Sequence, residues 1–156
     1  MSTFEVFKSI QSSEISKFMG SQDHLICASA QLVHIVGLLL VLSSIVLVSL
    51  RLLGLLDKLS LPRLAQATRW LIWSGLALLT LSGIFIFAPA ATNYYPNTFF
   101  WAKFILLALA ILLHVTLYRK VTQSDSPNPV ASKITAILAL TLWFSVAFAG
   151  RFIGFL

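Results

Sequence analysis

Between Asp23 and Arg51 the chain runs for twenty-seven residues without an Asp, Glu, Lys or Arg. At about 1.5 Å of rise per residue, a helix of that length exceeds a hydrocarbon core of about 30 Å. Lipid offers no partner for a backbone N–H or C=O, so such a segment satisfies its polar groups internally, as a helix. Three further apolar stretches follow, giving spans over about Leu25–Leu53, Arg69–Ala88, Phe99–Tyr118 and Lys133–Ile153. The expected fold is all-α: an up-down-up-down four-helix bundle integral to a membrane, with residues 23–156 as one transmembrane domain.

Composition agrees. The 156 residues are 58% apolar and 10% charged, with a mean hydropathy of +0.92. A soluble domain carries about 25% charged residues. The net charge of +6 would suggest nucleic acid in a soluble protein. Here the basic residues sit at helix ends, so a lipid bilayer, not nucleic acid, is the expected partner. One cysteine, Cys27, excludes an intrachain disulfide.

The first twenty residues have no apolar core long enough for a secretory leader, and Glu5 and Glu14 interrupt them. Phe4, Phe7 and Phe18 fall loosely on one helical face, so residues 1–22 are read as an amphipathic segment lying in the interface. Pro62 suits a helix start in the first connection, and Pro89 is expected to end the second span. Asn93–Asn97 reads as a loop whose tyrosines join Phe99, Phe100 and Trp101 in an interfacial aromatic belt. Ser124–Pro129 reads as the last loop.

Four spans put both termini on one side. The connections carry Arg51, Lys58, Arg63, Arg69, Arg119, Lys120 and Lys133; the other side has Lys8, Lys17, Lys103 and Arg151. The excess places the connections in the cytoplasm and the termini outside, which for a bacterial inner membrane is the periplasm.

No phosphate loop, Ser-His-Asp set or HExxH pattern is present. None of the five acidic residues lies within a span, which disfavours a relay of buried carboxylates. What the spans do contain is His34, Lys103, His114 and Arg151. An ionisable group at membrane depth costs free energy and normally faces the bundle interior or a cofactor. Gln31 and His34 share a helix face with His24 and Cys27. His34 lies seventeen positions before Arg51, Lys103 sixteen before Arg119, and Arg151 eighteen after Lys133. All three therefore fall at one depth, about 25 Å from the cytoplasmic edge. His114, five positions before Arg119, lies only about 7 Å from that edge.

The two histidines are thus roughly 18 Å apart in depth, too far to share one iron. The expected site is instead a single haem b in the outer leaflet, with His34 as axial ligand to the iron. Lys103 and Arg151 would neutralise its propionates, Gly75 or Gly83 would admit the porphyrin face, and Gln31 or a water would complete the other side. The competing reading has His34 bonded to a backbone carbonyl while Lys103 and Arg151 reach to the interface. His114 suits a second site near the cytoplasm, or a helix-end histidine bonded to a neighbour. His24 and Cys27, with Met19, form a candidate copper(I) site. Small residues Ser74, Gly75, Ser82 and Gly83 suit either close helix packing or a flat ligand.

Several stretches together resemble an uncharacterised family of bacterial four-span membrane proteins: Leu32-Val-His34-Ile-Val-Gly37, Leu50-Arg51-Leu-Leu-Gly54, Ser82-Gly83-Ile-Phe85, Phe99-Phe-Trp-Ala-Lys103, the His114 end of span three, and Leu142-Trp143 through Ile153. Ser49 departs from that family's pattern, which tends to place Asp there. More distantly, the plan is similar to the CopD-type copper-resistance membrane proteins and to the haem-containing membrane protoporphyrinogen oxidases. In the latter a histidine of the first span and a lysine are implicated, which His34 and Lys103 would match; the aromatic and proline pattern after the histidine is lacking. The function expected is electron transfer through one haem, or an accessory role in a membrane redox complex or homo-oligomer, rather than stand-alone enzyme activity. A structural subunit without cofactor and a copper-handling protein are the alternatives.

Overall fold

The computed structural model describes residues 2–124 and 127–155; Asp125 and Ser126, within the predicted Ser124–Pro129 loop, lie outside the described residues. Six helices make up the fold among the described residues. Two are short, α1 (Thr3–Ser12) and α2 (Glu14–Gly20). Four are long: α3 (His24–Leu52), α4 (Leu61–Phe87), α5 (Thr98–Leu113) and α6 (Pro129–Phe152). With their continuations, the long helices form four apolar segments long enough to cross a membrane: His24–Leu52, Leu61–Tyr94, Thr98–Thr122 and Pro129–Phe155. The protein is a multi-span, all-α membrane protein.

Each end has a local cause. Helix α3 stops in a Schellman turn: Leu55 N–H donates to the Leu50 carbonyl, and Gly54 takes φ +88°, a conformation costly for residues with a Cβ. Arg51 donates through Nε to the Leu59 carbonyl and through Nη1 to Asp57 at 3.1 Å, pinning the turn. The Leu50–Gly54 stretch is thus a helix stop. Asn97 caps α5, its Oδ1 accepting from Phe99 and Phe100 N–H at 3.0 and 3.2 Å; Asn128 caps α6 in the same way.

Three boundaries differ from the sequence reading. Helix α4 begins eight residues earlier than Arg69, at Leu61, with Pro62 in its first turn. Pro89 does not end the second span. It sits in a 3-10 turn, Ala88–Ala90, which hands the chain to a helical turn over Ala91–Tyr94; proline lacks only the N–H, and the tighter turn accommodates that loss. The third span passes Tyr118 through a π-turn, His114–Tyr118, and ends with the helical turn Arg119–Thr122.

The buried positions of α6 (Ser132, Thr135, Ala136, Ala139, Trp143, Val146) recur every three or four residues, as do Gly37, Val41, Ser44, Ile45, Val48 and Leu52 of α3. Each helix buries one stripe. Helix α3 packs between α4 and α6, and α6 packs on α5. The opposite faces carry exposed Leu32, Leu39, Trp70, Leu81, Ile105, Leu112 and Phe148, an apolar exterior suited to lipid rather than water. At the α3–α4 crossing a Cβ on Gly37 would lie 2.8 Å from the Gly75 carbonyl oxygen, and one on Gly75 would lie 2.7 Å from that of Gly37. The glycines serve backbone approach there.

The N-terminal segment is two helices rather than one, because Ser13 ends α1 and its hydroxyl caps α2. Phe7 is buried, meeting Phe87, Tyr95 and Phe100 edge-on with ring centroids 5.5, 5.5 and 5.9 Å away. Gln11 Oε1 accepts from both N–H and Oγ1 of Thr92, at 2.8 and 2.6 Å. So α1 closes the end of the bundle that holds both termini. Phe18 and Ile15 of α2 remain exposed.

Candidate functional site

The His34 imidazole of α3 turns toward α4. Its Nδ1 lies 2.9 Å from Ser82 Oγ. A serine hydroxyl has one proton to give, and the Leu78 carbonyl, one turn back on its own helix, is within its reach. With that proton on Leu78 the oxygen accepts from Nδ1–H; with the proton turned to Nδ1 instead, the ring proton sits on Nε2, so the tautomer decides the direction of the His34–Ser82 bond. The Leu79 carbonyl is a further acceptor beside the ring. A hydrogen bond at one ring nitrogen orients the imidazole and leaves the other nitrogen for a second partner.

Gly83 adjoins the same ring. A Cβ there would sit 3.5 Å from His34 Cε1, so the space at Gly83 is taken by the imidazole edge and not by a porphyrin face. Gly75, packed on Gly37, belongs to the α3–α4 crossing.

Lys103 lies in the first turns of α5, in the half of the bundle nearest the termini. Its stem lies along α6, where a Cβ on Gly150 would meet Cδ, Cε and Nζ at 3.5–3.6 Å. Lys103 is half-buried and, among the described residues, has no ion-pair partner. An ammonium at this depth without a counter-charge is costly, and a bound anion would relieve that cost. Helices α4 and α5 are not a closely packed pair. They meet through rings, Phe87 stacked on Phe100 at 5.3 Å near one end and Trp73 edge-on to His114 at 6.3 Å towards the other.

The remaining candidates fall elsewhere. Arg151 is exposed, its guanidinium 4.9 Å above the Phe155 ring. Gln31 is exposed one turn from His34. His114 meets Trp73, whereas His34 meets Ser82, nine positions further along α4. That separates the histidines by about 13 Å along the bundle, so one iron cannot take both. His24 is exposed and bound to the Asp23 carboxylate at 2.6 Å. Among the described residues no three of His, Cys, Asp and Glu group closely enough to hold a metal ion. Sequence reasoning left Ser82 open between helix packing and contact with a flat ligand and gave Gly150 no role of its own, so it missed them as the neighbours of His34 and Lys103; the signal available was the small pair Ser82-Gly83 on the span that faces His34.

Four lipid-compatible helices, with a histidine and a lysine in the half nearest the termini, define a small multi-span membrane protein. The chain belongs to a family of unknown function (DUF6644), whose pattern it matches over residues 7–156. No curated protein and no solved structure matches it.

Proposed function

We propose that the protein is a small redox subunit of a bacterial inner membrane that holds one b-type haem through His34. The observation that carries the reading is the Ser82 contact at membrane depth: in the tautomer the reading takes, Nδ1–H donates to Ser82, which donates to Leu78, and Nε2 keeps a lone pair for the iron. Neutral imidazole nitrogen is the usual proximal donor to haem iron. The donor set fits: Ser82 orients the ring, Gly83 gives it room, and Lys103 supplies a positive charge for a propionate. The haem would supply one-electron exchange between ferric and ferrous iron. The chain's own part is to bind and orient through His34, to balance anionic charge through Lys103, and to keep water away with the apolar bundle. The basic residues of the two connections support a cytoplasmic placement for that end, with both termini periplasmic.

The experiment is an absorption spectrum of detergent-purified protein from haem-replete cells, oxidised and then dithionite-reduced. A Soret band that shifts on reduction, with resolved α and β bands, is expected for the wild type. His34→Ala abolishes it, while His114→Ala keeps it. Colourless wild-type protein refutes the haem reading, and loss of colour in His114→Ala alone refutes the site.

A second reading rests on the same contact. The His34–Ser82 bond and the fit on Gly83 also clamp α3 to α4, as befits a structural membrane subunit. That reading predicts colourless protein whose melting temperature falls in His34→Ala.

A further inference from the structure

The end of the bundle that carries the connections has a cleft of about 330 Å³. The last residues of α3, the first of α4 and α6, and Ser124 and Pro127 of the second connection border it. Leu52 closes α3 there, Leu61 opens α4 and Pro129 opens α6. The cleft therefore lies where three spans leave the hydrocarbon, at the depth of phospholipid headgroups.

Its walls differ in character. Leu52 and Leu61 make one side apolar, while Arg51, Lys133 and Ser124 make the other polar. The Arg51 side chain is 25% exposed. Its Nε donates to the Leu59 carbonyl and its Nη1 to Asp57. A guanidinium has five N–H groups, so Arg51 keeps donors for a further acceptor. The two connections hold seven cations against two acids, Asp57 and Asp125. Positive charge therefore remains in excess at this end even with both acids paired.

The end of α6 does not itself supply the anion's donors. Asn128 already accepts from Val130 and Ala131 N–H, and Ser132 gives its proton to the Asn128 carbonyl. An anion in the cleft is left to Arg51, Lys133 and Ser124. A neighbouring cleft of about 440 Å³ repeats the pattern, with Lys58, Arg63 and Ser60 beside Leu59 and Leu64.

A free inorganic anion would use the cations and leave the apolar wall without a partner. An anionic phospholipid uses both. Further into the membrane along α6, Ile134 and Ile137 are exposed, a surface on which acyl chains can lie. Basic pockets between spans are a recurrent way of holding such headgroups.

We propose that this cleft holds an anionic phospholipid, its phosphate on Arg51 and Lys133 and its acyl chains along α6. The proposal is independent of whether His34 carries haem.

The test is a titration of delipidated protein in neutral detergent with phosphatidylglycerol. At ten times its Kd the lipid raises the melting temperature by roughly 3–6 °C, and phosphatidylcholine does not. Lys133→Gln, at an exposed position of α6, weakens the phosphatidylglycerol effect about tenfold in lipid concentration. Lys120→Gln removes the same charge at the same end but outside the cleft, and leaves the titration as in the wild type. Equal loss in the two variants means diffuse attraction to a basic end and overturns the site. Equal stabilisation by phosphatidylcholine also overturns it. A rise as large with inorganic phosphate alone overturns the lipid as ligand. Should Lys133→Gln fail to accumulate, native mass spectrometry of the wild type decides. Phosphatidylglycerol retained over phosphatidylcholine from an equimolar mixture supports the site; no preference overturns it.

Discussion

A single hydroxyl meets the His34 imidazole from α4. Ser82 Oγ lies within hydrogen-bond reach of both His34 Nδ1 and the Leu78 carbonyl, so it couples the ring to α4 and bears on its orientation. Replacing it with Ala removes that link without adding bulk. On the proposed haem reading, Ser82→Ala is expected to fold and to bind haem about 10–100-fold more weakly than the wild type, the range typical for loss of a group that orients a ligand. Haem titration into apo-protein reads it, and unchanged affinity would leave Ser82 as packing alone. That His34 is the residue to examine was legible in the sequence, since a histidine inside a charge-free run has few inexpensive places to face. Ser82 was not legible as its partner, because a serine in a membrane helix usually bonds its own backbone, and this one does so as well.

Helix pairs are set by where backbones are able to approach. The reciprocal Gly37–Gly75 contact leaves no room for a Cβ on either side, and the opposing atom is backbone carbonyl, which cannot swing away. Gly75→Ala and Gly37→Ala are each expected to spread α3 from α4 and cost about 1–3 kcal/mol, read as a lower melting temperature in detergent. Gly83→Ala adds its methyl at ordinary contact distance from the His34 ring and is expected to leave the melting temperature near the wild type. Equal losses at Gly75 and Gly83 would contradict the crossing described. The small residues of α4 are individually visible in the sequence. Which of them meets a helix and which meets a ring depends on the rotation of α4 against α3, and that rotation follows from the summed packing of both helices.

At the scale of the molecule, one end is closed and the other is charged. The end with the termini is sealed by α1, through Phe7 and Gln11, over an aromatic cluster. The other end carries the basic connections. If the connections are cytoplasmic, alkaline phosphatase fused after the last residue is active in cells. The same reporter fused within residues 55–60 is inactive. The reverse pattern would invert the topology and move His34 to the cytoplasmic half.

The sequence by itself determined that the chain crosses a membrane four times, because the length and charge-free character of each run leave a helix as the only way to satisfy its backbone. It also gave an expected level for His34, Lys103 and Arg151, with His114 apart, since a helix converts position to depth at a fixed rise; the histidines come out about 13 Å apart along the bundle where about 18 Å was expected. Rotation and ends carry no such rule. Only the tertiary structure decided that Lys103 rests on Gly150 while Arg151, its neighbour's neighbour, turns out over Phe155. Only it decided that the third span continues through a π-turn and that α1 plugs an aromatic cluster instead of lying apart. Depth is a property of one helix; a site belongs to several, and their rotations are fixed by contacts that form together.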